Sequence, residues 1–196
     1  MNRQSVYLLD GQNRRIIILN TNLKPTSEWN YLRNPVRING DEIYLNPVTF
    51  CINSIGELYL LNSDDYKIYK FDIFGQYQTH FGGLDYGAGS LDAPADLFSD
   101  SRNIYVTDTV HQEIHCFDSF GIFQQTITPN LPTRWTKVVA MEQYLFFLTK
   151  EGITGLHLPT RKLKTLLTIN DPVIDFAIHE KQLFLLLPQE IRLYTF

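Results

Sequence analysis

Along this chain apolar and polar residues alternate over short runs, and each run stops at a cluster of Gly, Pro, Asn, Asp or Ser. That period belongs to strands bounded by tight turns, and no long amphipathic helical pattern interrupts it. The clearest stretch is Phe81 to Phe123. A Gly-rich link (82–89) runs into Pro94, a short apolar segment (95–98) ends in a polar turn, and alternating strands follow at 103–107 and 113–117. Asp118-Ser119-Phe120-Gly121 then turns the chain into a fourth strand, 122–128. Four short strands in succession predict an antiparallel meander.

The same unit lies one step upstream. Leu58, Tyr59, Ile68, Phe71, Asp72, Phe74 and Gly75 match Ile104, Tyr105, Ile114, Phe117, Asp118, Phe120 and Gly121 at a constant offset of 46 positions, without a gap. A four-stranded unit repeating every 40–50 residues or so is the signature of propeller blades.

Read in order, the chain opens with strands at 5–9 and 15–19 around Asp10-Gly11-Gln12-Asn13-Arg14. Tyr7, Asp10, Ile16 and Leu19 align with Tyr59, Asn62, Ile68 and Phe71 at an offset of 52, so the first blade lacks its first strand. The stretch 23–46 is irregular, with a hairpin of 36–38 and 42–45 about Asn39-Gly40-Asp41. It is either an inter-blade insertion or a degenerate piece of another blade. Strands at 137–140, 144–148, 153–158 and 162–169 continue the order, and 173–178, 182–187 and 191–196 supply three more.

The expected fold is all-β: one propeller domain of four-stranded antiparallel blades, about five recognisable and five or six in a closed ring, with incomplete terminal blades. Its parts are a partial blade (1–30), an irregular insertion (31–46), blades at 47–81, 82–130 and 131–169, and a partial blade (170–196). The blades hold 18 strands where five full ones need 20. Two partial blades closing on each other, strands supplied by 36–45, or a partner would each answer the open edges.

Composition narrows the function classes. Seventeen Lys and Arg against 21 Asp and Glu, with no basic run, argue against a nucleic-acid surface. No apolar run approaches the ~20 residues of a membrane helix, and the first residues hold no signal-peptide pattern. Cys51 and Cys116 fall on different strand types, which makes them apolar fillers rather than a disulfide.

Residues 82–123 resemble an NHL repeat: the Gly-rich link, the Pro before the first strand, Asn103-Ile104-Tyr105-Val106-Thr107-Asp108, then Ile114-x-x-Phe117-Asp118-x-x-Gly121. Residues 47–81 match it nearly as well, with Asn62 where that family usually has Asp. The resemblance implies a propeller and leaves function open, because such folds host unrelated activities. It also implies the bacterial cell envelope as a possible location. Asp10, Asp72, Asp108 and Asp118 read as turn-formers that accept backbone N–H bonds.

In an up-and-down meander, the link before the first strand and the loop between strands two and three share a rim. That rim carries Asp64, Asp65 and Tyr66; Asp85, Tyr86 and Asp92; His111 and Glu113; Arg134 and Trp135; Glu151; and Asp171. Asp64, Asp65, Tyr66, Asp85, Tyr86, His111, Arg134 and Trp135 are the candidate partner-binding residues. An amidating lyase similar to NHL propellers holds metal with histidines converging on the channel, but His80, His111, His115, His157 and His179 occupy different strand types. A related calcium-dependent lactonase needs an acid and Asn residues facing the channel. Asn53, Asp96, Asp100, Asp175 and His179 are the residues available on the innermost strands. No nucleophile, zinc or phosphate-loop motif occurs. The expectation is therefore a non-enzymatic scaffold or accessory subunit with no catalytic residue, metal or cofactor, presenting rim loops to a protein or peptide. Association through open edge strands would be a further route to assembly. The alternative is a hydrolase or lyase with a divalent ion at the central channel.

Overall fold

The computed structural model describes residues 5–85, 87–100 and 102–195. The fold is an all-β propeller built from antiparallel blades, three of them four-stranded and the first and last three-stranded. Blade one comprises β1 (Val6–Asp10), β2 (Arg15–Leu19) and β3 (Pro25–Trp29). A separate hairpin, β4 (Val36–Ile38) and β5 (Asp41–Ile43), follows. Blade two holds β6 (Pro47–Ile52), β7 (Leu58–Asn62), β8 (Lys67–Phe71) and β9 (Tyr77–Gly82). Blade three holds β10 (Pro94–Ser99), β11 (Asn103–Asp108), β12 (Glu113–Asp118) and β13 (Phe123–Ile127). Blade four holds β14 (Trp135–Met141), β15 (Tyr144–Thr149), β16 (Gly152–His157) and β17 (Lys162–Thr168). Blade five comprises β18 (Asp175–His179), β19 (Gln182–Leu186) and β20 (Ile191–Thr195).

The hairpin turns on Asn39 and Gly40, both at positive φ (53° and 98°), the conformation that an Asn-Gly pair adopts at least cost. Among the described residues β4 and β5 pair with each other and join neither neighbouring sheet. Among the described residues the hairpin therefore adds no strand to either three-stranded blade. It has a packing role instead: Val36, Leu45 and the flanking Leu32 are buried with Ile16, Leu58, Leu60, Tyr69 and Phe71.

Contacts divide the chain into two compact units, one running to Asp108 with His115–Thr126, the other made of Thr109–Ile114 and the residues from Ile127 onward. In the first unit, β7 is buried along its whole length because blades pack on both of its faces. Leu58 and Leu60 look back toward blade one, while Tyr59 and Leu61 look forward into a core with Leu97, Ile104, Val106 and Phe117 of blade three. In the second unit, Phe146 and Leu148 of β15 meet Phe176, Leu183 and Leu185 of blade five. Two-sided burial explains the near-continuous apolar runs of the middle strands, whereas the outer strand β17 is mostly exposed.

The inner strands repeat one irregularity. A register shift falls at Pro47/Thr49, Pro94/Asp96 and Trp135/Lys137, the signature of a bulge near the start of each strand. A bulge redirects the side chain that follows it. Thr49 Oγ1 donates to Asp96 Oδ1 (3.0 Å), tying β6 to β10.

Candidate functional site

The rim expected from the sequence is largely built of residues that hold their own loops. In the turn between β7 and β8, Asp65 accepts from Asn62 Nδ2 (2.8 Å), the Lys67 amide (3.2 Å) and the Tyr69 hydroxyl (2.7 Å). Asp64 accepts from Asn46 Nδ2 (2.7 Å). Tyr66 sits at φ 55° and packs against the core shared by blades two and three. The link that leaves β9 brings Leu84 and exposed Asp85 beside Asp65, Lys67 and His80, enclosing a cleft of about 420 Å³. Burial holds the His80 imidazole below its usual range, assisted by the charge of Lys67, and Tyr77 Oη lies 2.7 Å from its Nδ1. Tyr86 lies outside the described residues.

In the second unit, Arg134 donates to the carbonyls of Thr109 (2.6 Å) and Val110 (3.0 Å), and His111 is exposed on the same loop. Trp135 is only 2% exposed, its ring 5.8 Å from that of Phe147. Its amide and carbonyl are both held by the Gln112 side chain (2.8 and 3.2 Å). The indole therefore supports the loop from below and offers no surface. Position along the chain placed it on the rim; the side of the strand start from which its ring projects could not be read there. A second cleft, about 720 Å³, is lined by Arg134, Thr136, Lys150, Asn170 and Asp171 among others. Asp171 is engaged by Arg192.

The innermost strands show the same economy. Asp96 and Asp175 each accept the amide of the next residue (2.9 and 2.8 Å) and each face a side chain of the preceding blade, Thr49 and Lys137 respectively. Asp100 accepts from the Arg102 and Asn103 amides (both 2.7 Å) and the Tyr105 hydroxyl (2.7 Å). Asn53 bonds Glu57 (2.7 Å). Among the described residues no three His, Cys, Asp or Glu side chains gather as metal ligands would. Neither cysteine forms a disulfide among the described residues, and burial pushes the Cys51 thiol up to about 12.

The opposite rim of the first unit has a different character. Asp72 Oδ1 accepts the amides of Phe74 and Gln76, and Asp118 Oδ1 those of Phe120 and Ile122, all at 2.9 Å. These matching turns hold Phe74 and Phe120 outward, 79% and 76% exposed, with Ile73 and Ile122 exposed beside them. Ile55, in the turn between β6 and β7, belongs to the same rim and is also exposed. Contacts bring the two blades' turns together: the Ser119 carbonyl accepts from Lys70 Nζ (2.9 Å), and Lys70 Nζ lies 5.7 Å from the centre of the Phe120 ring. The offset of 46 had exposed the repeated Phe, but its role in the repeat reads as turn chemistry. Only solvent exposure distinguishes a displayed aromatic from a packed one.

No protein-family model matches the sequence, and no curated protein matches it either. Solved structures do resemble the fold. Virginiamycin B lyase from Staphylococcus aureus is similar with a TM-score of 0.60 and 12% identity, over 93% of this chain and 59% of its own. BamB from Moraxella catarrhalis gives 0.57 and 13%, over 100% of this chain and 57% of its own. The BBS1N chain of a complex with ARL6DN gives 0.59 and 14%, over 92% and 57%. This chain thus spans less than three fifths of those structures. At such identities the likeness concerns fold alone, and it joins the blade pattern in one conclusion: the chain has the β-propeller fold.

Proposed function

We propose that the protein is a non-enzymatic scaffold of the NHL type, an accessory subunit that presents propeller rims to a protein or peptide partner. The observation that carries this reading is the pair Phe74 and Phe120. Both rings stand in solvent on turns fixed by two amide bonds each, within an apolar group completed by Ile55, Ile73 and Ile122. Rigid aromatic anchors lose little conformational freedom on binding and commonly dominate protein interfaces. The charged rim, with Asp64, Asp65, Asp85, His111 and Arg134, serves as a secondary, steering surface.

The neighbouring structures are compatible with a scaffold, since one is a chain solved in complex with another protein. The test is co-purification of the native protein with its companions, repeated with a Phe74→Ser/Phe120→Ser variant. A stoichiometric partner retained by the wild type and lost from a variant with an unchanged unfolding curve supports the reading. A partner retained equally by both, but lost on Asp85→Lys/Arg134→Glu substitution, would move the contact to the charged rim. Turnover of a lactone or ester that depends on a divalent ion, with no partner, would overturn it in favour of a channel enzyme.

A further inference from the structure

Among the described residues of the first unit, four turns on one rim share a single hydrogen-bond frame. In each, Oδ1 of the leading Asn or Asp accepts the amides two and four residues on, and its carbonyl accepts the amide three on, from a residue at positive φ. The turns are 20–24 (2.9, 3.1 and 2.9 Å; Leu23 at 57°) and 53–57 (3.2, 2.9 and 3.0 Å; Gly56 at 95°). The other two are 72–76 (2.9, 2.9 and 3.0 Å; Gly75 at 78°) and 118–122 (2.9, 2.9 and 3.0 Å; Gly121 at 87°). The first two form on neutral Asn20 and Asn53, with Asn22 and Ile55 at their tips. The frame therefore requires neither a carboxylate nor an aromatic ring.

Blades two and three carry both, and a third group beside them. Gln78 Nε2 donates to Asp72 Oδ2 (3.1 Å) and to the Gln76 carbonyl (3.2 Å). At the offset of 46, Gln124 Nε2 donates to Asp118 Oδ2 (3.4 Å) and to the Ile122 carbonyl (3.1 Å). Among the described residues neither carboxylate forms an ion pair, whereas Asp10, Glu28, Glu42 and Glu57 of the same unit each meet Arg or Lys. Exposed Lys24 and Arg102 lie on other turns of this rim, and Lys70 is taken up by Glu57 and the Ser119 carbonyl. The result is one recognition unit displayed twice: an exposed Phe ring beside a carboxylate that no cation neutralises.

We infer that the partner is a protein segment bearing two cationic side chains, each next to a large apolar one, seated on Asp72 with Phe74 and on Asp118 with Phe120. The inference rests on the scaffold reading above and names the chemistry of its partner. A cation over an aromatic face and against a carboxylate satisfies both halves of each unit. Lys70 Nζ, 5.7 Å from the centre of the Phe120 ring, already uses that ring so. Because the tip amides are bonded within their own turns, covering them strands no donor. Sheets packed face to face stand about 10 Å apart, which sets the scale of the spacing between the two pairs. The formal charge of −4 favours the approach of a basic partner.

The test is selection of random twelve-residue peptides, displayed on phage, against the full chain, followed by anisotropy titration of an enriched peptide. Enriched sequences should carry two Arg or Lys, each beside a large apolar residue. Phe74→Ser and Phe120→Ser should each weaken that peptide at least about tenfold. Asp72→Asn/Asp118→Asn should weaken it about tenfold at low salt and less as salt rises. This variant keeps the turns, because Asn already forms them at 20 and 53. No enrichment, enrichment of neutral or acidic peptides, or equal binding by the Asn variant would each overturn the inference. So would binding to phosphatidylcholine vesicles that needs both Phe and neither Asp. A native partner lost from the Phe74→Ser/Phe120→Ser variant but kept by the Asn variant would overturn it while leaving the scaffold reading in place.

Discussion

Lys70 Nζ lies 2.9 Å from Glu57 Oε1, and the two side chains are 9% and 18% exposed. The pair is completed by its surroundings: Asn53 donates to Glu57 Oε2 (2.7 Å), the Tyr59 hydroxyl lies 3.0 Å from the same oxygen, and Ser119 accepts from Lys70. A charge pair taken out of water holds only when its remaining donors and acceptors are satisfied, and this one draws the last of them from the next blade. Lys70→Met should destabilise the protein by about 3 kcal/mol, because it leaves a nearly buried carboxylate uncompensated. Adding Glu57→Gln should recover part of that loss, and urea unfolding of the single and double variants measures the difference.

The same pair sets an acid limit. Burial disfavours ionised Glu57, but the hydrogen bonds from Lys70, Asn53 and Tyr59 outweigh it and hold the carboxyl below its ordinary value of 4.5. A carboxyl with a lowered folded value contributes stability above its unfolded value and loses it as the pH falls through the folded one. His80 opens an earlier window. Its folded value lies below 6.5, so the unfolded chain takes up a proton that the folded one refuses, and stability declines as the pH drops through that region. Urea midpoints measured from pH 7 downward should fall in two stages, and His80→Gln should remove the first.

Three glycines at positive φ should separate backbone strain from crowding. Gly40 (φ 98°) has nothing within 4 Å of an added Cβ, so Gly40→Ala should cost about 1–2 kcal/mol from conformation alone. At Gly121 the same methyl would stand 2.3 Å from Phe81 Cδ1, inside a packed aromatic cluster. At Gly152 it would stand 2.0 Å from the Leu167 carbonyl oxygen, which belongs to the paired strand and has little room to retreat. The expected order of loss is Gly152, then Gly121, then Gly40, with Gly152→Ala exceeding about 4 kcal/mol. Thermal melts of the three variants rank them.

Asp72 and Asp118 each take two amides onto one carboxylate oxygen. Replacing either by Ala should cost about 1 kcal/mol, and by Asn much less, since the amide keeps an acceptor oxygen. Loss of affinity for the partner without a comparable change in the unfolding midpoint is the expected signature of the Asp118→Ala turn, because it loosens Phe120 without touching the core.

Much of the architecture was legible because a propeller repeats its solution. Tyr59 and Tyr105, or Asp72 and Asp118, occupy the same place in consecutive blades, and the register of each pair could be counted. The hairpin at Asn39-Gly40 announced itself through turn chemistry. The functional surface was harder to see. Trp135 and Phe120 are both aromatic and both beside a turn, yet one is packed under a loop and the other stands in solvent. Alternation assigns residues to opposite faces of a strand, but it says nothing about which faces find a neighbour.

The recurring bulge on the inner strands bears on how such a chain changes over evolutionary time. Asp96 and Asp175 occupy one slot, each fastened to its own strand and reached by a side chain from the blade before. Deleting blade four would set Asp96 against Asp175, two carboxylates where each now meets a hydroxyl or an ammonium. The order of the blades, and not their number alone, is therefore constrained in a protein built this way.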